Sequence, residues 1–539
     1  MYQFLKPYFF VLLLFSIVTG VQGQPGRIVF DTVAPLTGTG HSTNELSGIT
    51  LQPRTNLFLT VSLQKPLSWY LQQMAPQLSV DSLSAVGNYQ FNFYIDGRLI
   101  YHTELWPGAP RPQQQQRDTL WTKPLIDNQH EGTWWSQSAW NRFMYNGGDS
   151  ALTEGRHTLR LVLRPYVNRG QLIVGDIIAE GSVVLDVNRQ PKIDLATISL
   201  TPVKPYNGLA VSSDAFDRNR IKQLKAWIDA GVFRHVTSIV VLKKGKILVE
   251  EYFNGNGRDS LNDTRSVGKS FASTLTGMAI RDHYLESVTT RLGSKYALQQ
   301  FAHYSAAKAA VTVRELLTMS SRFDGNDDDM HSPGNEENMY PTDDWVKFTL
   351  DLPMDTVKYT GQWHYFTAGV MLQGSLLHQL IPGGLESYAD KNLFRPLGIT
   401  HYQWQFTPQQ APNTAGGIRL RSLDLAKYGQ LYVNRGRWNG RQVLPEHWVK
   451  ESFTHQLPIP GRTNEYYGYL FWNKTYSVKE RAMEAWYCTG NGGNKVFVFK
   501  DPELVVVITA TAYGQPYAHP QADRMMTEYI LPAVIGSGP

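Results

Sequence analysis

Ser266-Val267-Gly268-Lys269, followed by Phe271, Leu275 and Met278 among Ala, Ser, Thr and Gly, is the stretch whose reading decides the fold. Apolar residues return at intervals of four and then three, the period of a helix with one buried stripe. Asp263 and Thr264 just upstream are cap-type residues, so a helix is predicted to begin near Ser266. Side chains three positions apart share a helix face, which sets the Lys269 amine where it can hold the Ser266 hydroxyl for proton removal. The pair therefore reads as a nucleophile with its amine partner.

Taken alone, S-x-x-K is a short pattern that chance supplies often. Its tail, Gly268-Lys269-Ser270, also mimics the end of a phosphate-binding loop, but the first glycine of G-x-x-x-x-G-K-[ST] would fall on Asp263. A carboxylate there would repel a phosphate and deny the backbone a tight approach, so nucleotide binding is excluded.

At 539 residues the chain is too long for one ordinary core, and two domains are expected. Lys6, the apolar run from Phe9 to Val18 and the small residues of Val21-Gln22-Gly23 read as a cleaved export signal over residues 1–23. The run is shorter than the roughly 20 residues a bilayer requires, which disfavours a retained anchor, and no other segment approaches that length. Cys488 is the single cysteine, so an exported product has no internal disulfide and relies on its core. A soluble protein of the periplasm or the cell exterior is expected. Tyr487 and Thr489 beside Cys488 supply no base, which disfavours a catalytic thiol. The balance of 51 Lys+Arg against 46 Asp+Glu is a small excess spread along the chain, without the basic stripe that nucleic acid would need.

Residues 24–195 read as strands and turns. Phe91, Phe93 and Ile95 alternate with polar partners into Asp96-Gly97, and Leu99 and Tyr101 resume beyond it, a hairpin signature. Leu159, Leu161 and Leu163 predict another strand, ended by Pro165. Short strands with Pro- and Gly-rich connectors point to an accessory β-sandwich. Pro110 to Gln116 reads as a surface loop. Trp134, Trp135 and Trp140 could stack on sugar rings, but their large apolar area argues for buried core.

The pattern changes around Pro202 to Pro205, and a mixed domain is expected over residues 205–536. Ile221, Leu224 and Ile228 predict a helix between Phe216 and Gly231. Thr237 to Leu242 and Lys246 to Phe253 predict a strand pair around Lys244-Gly245, and Lys495 to Phe499 with Leu504 to Ala510 predict two more strands. Helices between outer strands that pair together fit an α+β layer architecture.

A serine nucleophile needs a second proton-handling group and a wall that binds the developing oxyanion. Tyr365 lies in Gly361-Gln362-Trp363-His364-Tyr365-Phe366-Thr367, and Asn491-Gly492-Gly493-Asn494 opens a predicted strand. His364 beside that tyrosine is read as structural, because neighbours in a strand or turn point apart. No G-x-S-x-G elbow, H-E-x-x-H or paired C-x-x-C occurs, which argues against an α/β-hydrolase and against a metal site.

In the order S-x-x-K, Tyr, Gly-rich turn before an outer strand, the chain resembles the serine β-lactamase and penicillin-binding-protein superfamily, in its class C-like branch with esterases, D-aminopeptidases and 6-aminohexanoate-dimer hydrolase. Further family-like wording runs through Val313 to Ser321, Gly417 to Ala426 and Trp438 to Pro445. The resemblance covers about residues 205 to 535. It implies an antiparallel sheet flanked by helices with a helical subdomain, here behind the all-β sandwich-like domain. It also implies Ser266 as the acylated nucleophile, Lys269 as its proton acceptor or electrostatic partner, and Tyr365 as proton shuttle with a phenol pKa lowered beside the lysine. The oxyanion hole would be the backbone N–H groups of Ser266 and Asn494, with Asn491, Gly492 and Gly493 lining the substrate side.

The implied activity is that of an exported serine hydrolase acting on a small ester, amide or peptide, with neither cofactor nor metal. A non-turnover penicillin-binding or sensor protein of the same fold is the alternative. Three departures bear on the choice. Thr367 stands where lactamases carry asparagine, Asn491-Gly492-Gly493 replaces Lys-Thr-Gly, and Arg322 follows Ser320-Ser321 where glycine is usual. The first two remove groups that grip a β-lactam.

Overall fold

The computed structural model describes residues 26–33, 46–53, 55–107, 109, 117–127, 133–189, 193–478 and 481–535. The expected export signal at 1–23 and the glutamine-rich loop at 110–116 lie outside the described residues. The chain divides into two compact units. One gathers Met1–Ile49, Leu57–Leu125 and Arg156–Leu185, and the other gathers Thr50–Asn56, Ile126–Gly155 and Asp186–Pro539. The stretch Ile126–Gly155, read from sequence within the accessory domain, thus packs with the second unit.

The first unit is built on a nine-stranded sheet. Its path runs Arg98–Glu104, Gly87–Ile95, Gly155–Asn168, Ala179–Val187, Gly26–Asp31, Leu57–Ser62 and Leu120–Ile126. The expected hairpin is present, with Ile95 opposite Arg98 and φ of +50° at Asp96 and +82° at Gly97. Two positive φ values are what a tight turn matching strand twist demands, and Asp-Gly supplies them at low cost. The strand expected to stop at Pro165 instead continues to Asn168. Gly175 and Ile178 donate their N–H groups to the Pro165 and Leu163 carbonyls, so that edge accepts hydrogen bonds and needs no donor from the proline.

The second unit carries an eight-stranded antiparallel sheet. Its six long strands are β1 (Val236–Lys243), β2 (Lys246–Tyr252), β3 (Trp472–Val478), β4 (Arg481–Gly490), β5 (Asn494–Phe499) and β6 (Leu504–Ala510). They lie in the order β2-β1-β6-β5-β4-β3, and the short strands Tyr466–Tyr467 and Leu457–Pro458 extend the β3 edge. Every residue of β6 is buried, which its unbroken Leu-Val-Val-Val-Ile run suits better than alternation would. The helices that position the site are α1 (Arg218–Asp229), α2 (Gly268–Arg281), α3 (Glu336–Met339), α4 (Thr367–Leu380), α5 (Ser422–Val433) and α6 (Glu446–Ser452).

Helix α2 departs from its expected single stripe, being buried on every side from Gly268 to Ala279. Its small residues permit this. Phe271 stacks on Tyr428 of α5 with ring centres 3.9 Å apart, and the Thr274 hydroxyl bonds the phenols of Tyr428 and Tyr432 at 2.8 and 2.7 Å. On another face the Trp448 ring of α6 approaches so closely that a Cβ at Gly277 would lie 2.4 Å from it. Among the described residues, no helix is long and apolar enough to cross a membrane.

This contact sets the sign of one substitution. Helix propensity alone would have Gly277→Ala stabilise by about 1 kcal/mol. With the indole in the way, we expect the change to destabilise by about 1–3 kcal/mol instead, read from the urea midpoint of the second unit.

Candidate active site

Ser266 lies in a short 3-10 turn, Arg265–Val267, that runs directly into α2. Neither Asp263 nor Thr264 caps the helix as expected. Asp263 Oδ1 instead accepts the Arg265 N–H at 3.2 Å, and the Thr264 hydroxyl donates to the Ile418 carbonyl at 2.8 Å, tying the turn to the Ile418–Leu420 strand.

From the first turn of α2, Lys269 reaches back along the helix. Its Nζ donates to Ser266 Oγ at 2.8 Å and to the Ala415 carbonyl at 2.8 Å. The lysine is almost wholly buried, while Ser266 keeps part of its surface accessible. Sequence reasoning missed Ala415. Its signal was the Gly416-Gly417 pair that follows, since a Cβ on Gly416 would meet the Arg265 backbone at 2.9 Å, and only glycine lets this turn pass so near the nucleophile.

Tyr365 closes the third side. Lys269 Nζ sits 5.1 Å from its ring centre, Ser266 is near enough to act on the phenol's acidity, and Trp363 and Trp472 flank the ring at 6.1 and 5.9 Å. The structure corrects the expected acidity of this group. Burial raises the phenol pKa and outweighs the lowering by Lys269 and Ser266, so Tyr365 is held as the neutral phenol.

Asp327, also missed from sequence, fixes the Tyr365 segment. Its N–H donates to the Tyr365 carbonyl at 2.8 Å, while its carboxylate accepts from Thr367 N at 2.7 Å and from Glu336 N, at the start of α3, at 2.8 Å. Thr367 is thereby the first residue of α4 and fully buried, so it does not offer the side chain that asparagine presents in lactamases. His364 is structural as read, its Nδ1 against the Gly325 carbonyl at 2.6 Å and its pKa lowered to about 4 by burial. Cys488 is buried, and burial pushes its thiol up to about 12. Arg322 has φ of +64°, which explains why glycine is usual there; its guanidinium pairs with Glu315 at 2.9 Å.

The Gly-rich wall needs a second correction. Asn494 lies opposite Gly490 in the β4–β5 ladder, buried, with its amide donating to the Asn491 carbonyl at 2.9 Å and its Oδ1 accepting from Ala510 N at 3.2 Å. Its side chain closes the turn. Gly492 and Gly493 have φ near +90° and serve that same turn. The residue that abuts the nucleophile is Gly490, where a Cβ would lie 2.1 Å from the Thr264 carbonyl oxygen and 3.0 Å from Ser266 N. Asn491 follows it, partly anchored by its Oδ1 accepting Gly514 N at 2.9 Å. Among the described residues, no group of three or more His, Cys, Asp and Glu side chains is gathered to hold a metal ion.

A family model described as Beta-lactamase matches residues 224–527, more than half of the chain. The chain belongs to the beta-lactamase family. No curated protein matches it. Among solved structures, it is similar to a protein from Bacillus anthracis assigned as a 6-aminohexanoate-dimer hydrolase (14% identity, TM-score 0.46, covering 54% of this chain and 78% of that one). It is also similar to a penicillin binding protein from Bacillus halodurans (17%, 0.43, 54% and 97%). A third is a penicillin-binding protein homolog from Caulobacter crescentus (14%, 0.44, 58% and 97%).

Two outcomes test the geometry. Gly490→Ala must displace the Ser266 turn, and reactivity of Ser266 toward a fluorophosphonate should fall at least tenfold while the fold persists by circular dichroism. Burial raises the Asp327 carboxyl from 3.8 to about 6, so its contribution to stability is fully present below pH 3.8 and is lost as pH rises through 6. The stability difference between wild type and Asp327→Asn, from urea midpoints, should therefore move against wild type between pH 4 and 7.

Proposed function

We propose that this beta-lactamase-family chain is a serine hydrolase that forms an acyl-enzyme on Ser266 and passes the acyl group to water. The observation that carries the reading is the 2.8 Å contact from the Lys269 nitrogen to Ser266 Oγ, with the Tyr365 ring centre 5.1 Å from the same nitrogen. Ser266 attacks the carbonyl carbon of an ester or amide, and its proton passes to the Lys269 amine. The neutral Tyr365 phenol gives its proton to the leaving oxygen or nitrogen and is reprotonated from Lys269. Water then enters by the reverse relay and frees the serine. The backbone N–H groups of Ser266 and Asn491, on either side of the Gly490 approach, are assigned to the developing oxyanion.

The buried Thr367 side chain favours a small ester, amide or peptide over a β-lactam. Ser266→Ala should abolish fluorophosphonate labelling and p-nitrophenyl ester cleavage. Lys269→Ala and Tyr365→Phe should each lower kcat/KM by about 10²–10⁴-fold, the range of a lost proton-transfer group. Labelling that survives in Ser266→Ala removes the reading.

A further inference from the structure

Outside the nucleophile's own pocket, the second unit has a cleft of about 320 Å³ lined by Asn256, Asp263, Arg265, Arg419, Thr511 and Tyr513, among others. None of Ser266, Lys269 and Tyr365 lines it. Its distinguishing feature is a surplus of cation. Arg265 and Arg419 share one carboxylate, that of Asp263, at 3.3 and 3.8 Å from Oδ2. The other Asp263 oxygen is taken up by the Arg265 backbone N–H. At 3.8 Å the Arg419 contact is too long for a hydrogen bond, and Arg419 Nε is buried with no acceptor. Arg265 spends its charge over the Tyr513 ring, 4.4 Å from the centre, and the Tyr513 phenol donates to the Asp263 carbonyl at 3.2 Å.

Each guanidinium is a planar fork made for bidentate oxyanions, and one monodentate carboxylate cannot match two of them. The strands enforce this crowding. Asp263 and Arg419 are cross-strand partners in the short sheet that also holds Gln403–Trp404, so the two side chains start from fixed neighbouring positions. Arg265 has φ of +49°, a conformation that non-glycine residues adopt sparingly and that marks functional turns when the surroundings enforce it. Both arginine side chains keep nearly half of their surface exposed to solvent.

We infer that this cleft binds a small molecule through a carboxylate or phosphate group held between Arg265 and Arg419. The volume suits an oxyanion carried on a small organic body. The inference does not depend on the reaction proposed for Ser266, because no reacting group lines the cleft.

Isothermal titration of full-length Ser266→Ala protein with inorganic phosphate and with acetate, at ionic strength fixed by sodium chloride, tests it. At least one probe should bind saturably, and which one does tells phosphate from carboxylate. Arg419→Gln should weaken that binding at least tenfold. Asp263→Asn keeps an oxygen for the Arg265 N–H and removes the competing charge, so it should tighten binding severalfold, a gain that misfolding cannot imitate. Arg437→Gln, distant in the hairpin with Gln442, should bind as the parent does. No saturable heat with either probe, or binding that Arg419→Gln and Asp263→Asn both leave unchanged, overturns the inference.

Discussion

The whole site depends on one buried amine with two oxygen partners. Lys269 is withdrawn from water, a position that costs several kcal/mol unless hydrogen bonds replace the lost hydration. Ser266 Oγ and the Ala415 carbonyl supply them, both at 2.8 Å. Neither partner can be moved far. Ser266 is fixed by a turn continuous with α2, and Ala415 by the glycine after it, which lets its turn lie against the Arg265 backbone. The burial of α2 on all sides then has a functional reading: a helix that cannot rotate keeps the amine and the hydroxyl on one line.

The other walls follow from the same constraint. Strand β4 must pass the Ser266 turn at a distance that only Gly490 permits, and the loop before Tyr365 must hold the phenol on the opposite side. Asp327 does the latter by gripping backbone groups, its carboxylate the N–H of Thr367 at the start of α4 and its own N–H the carbonyl of Tyr365. Its carboxyl pKa is raised by burial and by Glu336, so this grip is tied to pH. Just outside the turn, Asp263 serves the Arg265 backbone and is left to balance two guanidiniums at once.

Much of this was legible in the sequence where local chemistry decides structure. Asp96-Gly97 and Lys244-Gly245 gave their hairpins away because each needs positive φ at both turn positions. The unbroken β6 run and the S-x-x-K spacing likewise identify a buried strand and a shared helix face without tertiary information. What escaped was set by distant neighbours. Ala415 acts through a carbonyl, which every residue has, so only the glycine pair after it carried a hint. Asp327 sits among four aspartates between 324 and 329 with no periodicity to single it out. The order of Gly490, Asn491 and Asn494 along the chain could not reveal which one meets the nucleophile, because that depends on where the hairpin turns. The Tyr365 shift was misjudged for a related reason: the lysine beside it was inferable, but the Trp363 and Trp472 rings that help to desolvate it come from the packed fold.

The most direct measurement is rapid-quench mass spectrometry of the wild-type protein with a p-nitrophenyl ester, followed by peptide mapping. The account predicts that the acyl mass accumulates on the peptide containing Ser266 within one turnover and disappears as substrate is exhausted. Product release with no adduct at any time, or an adduct on a peptide that lacks Ser266, would contradict it.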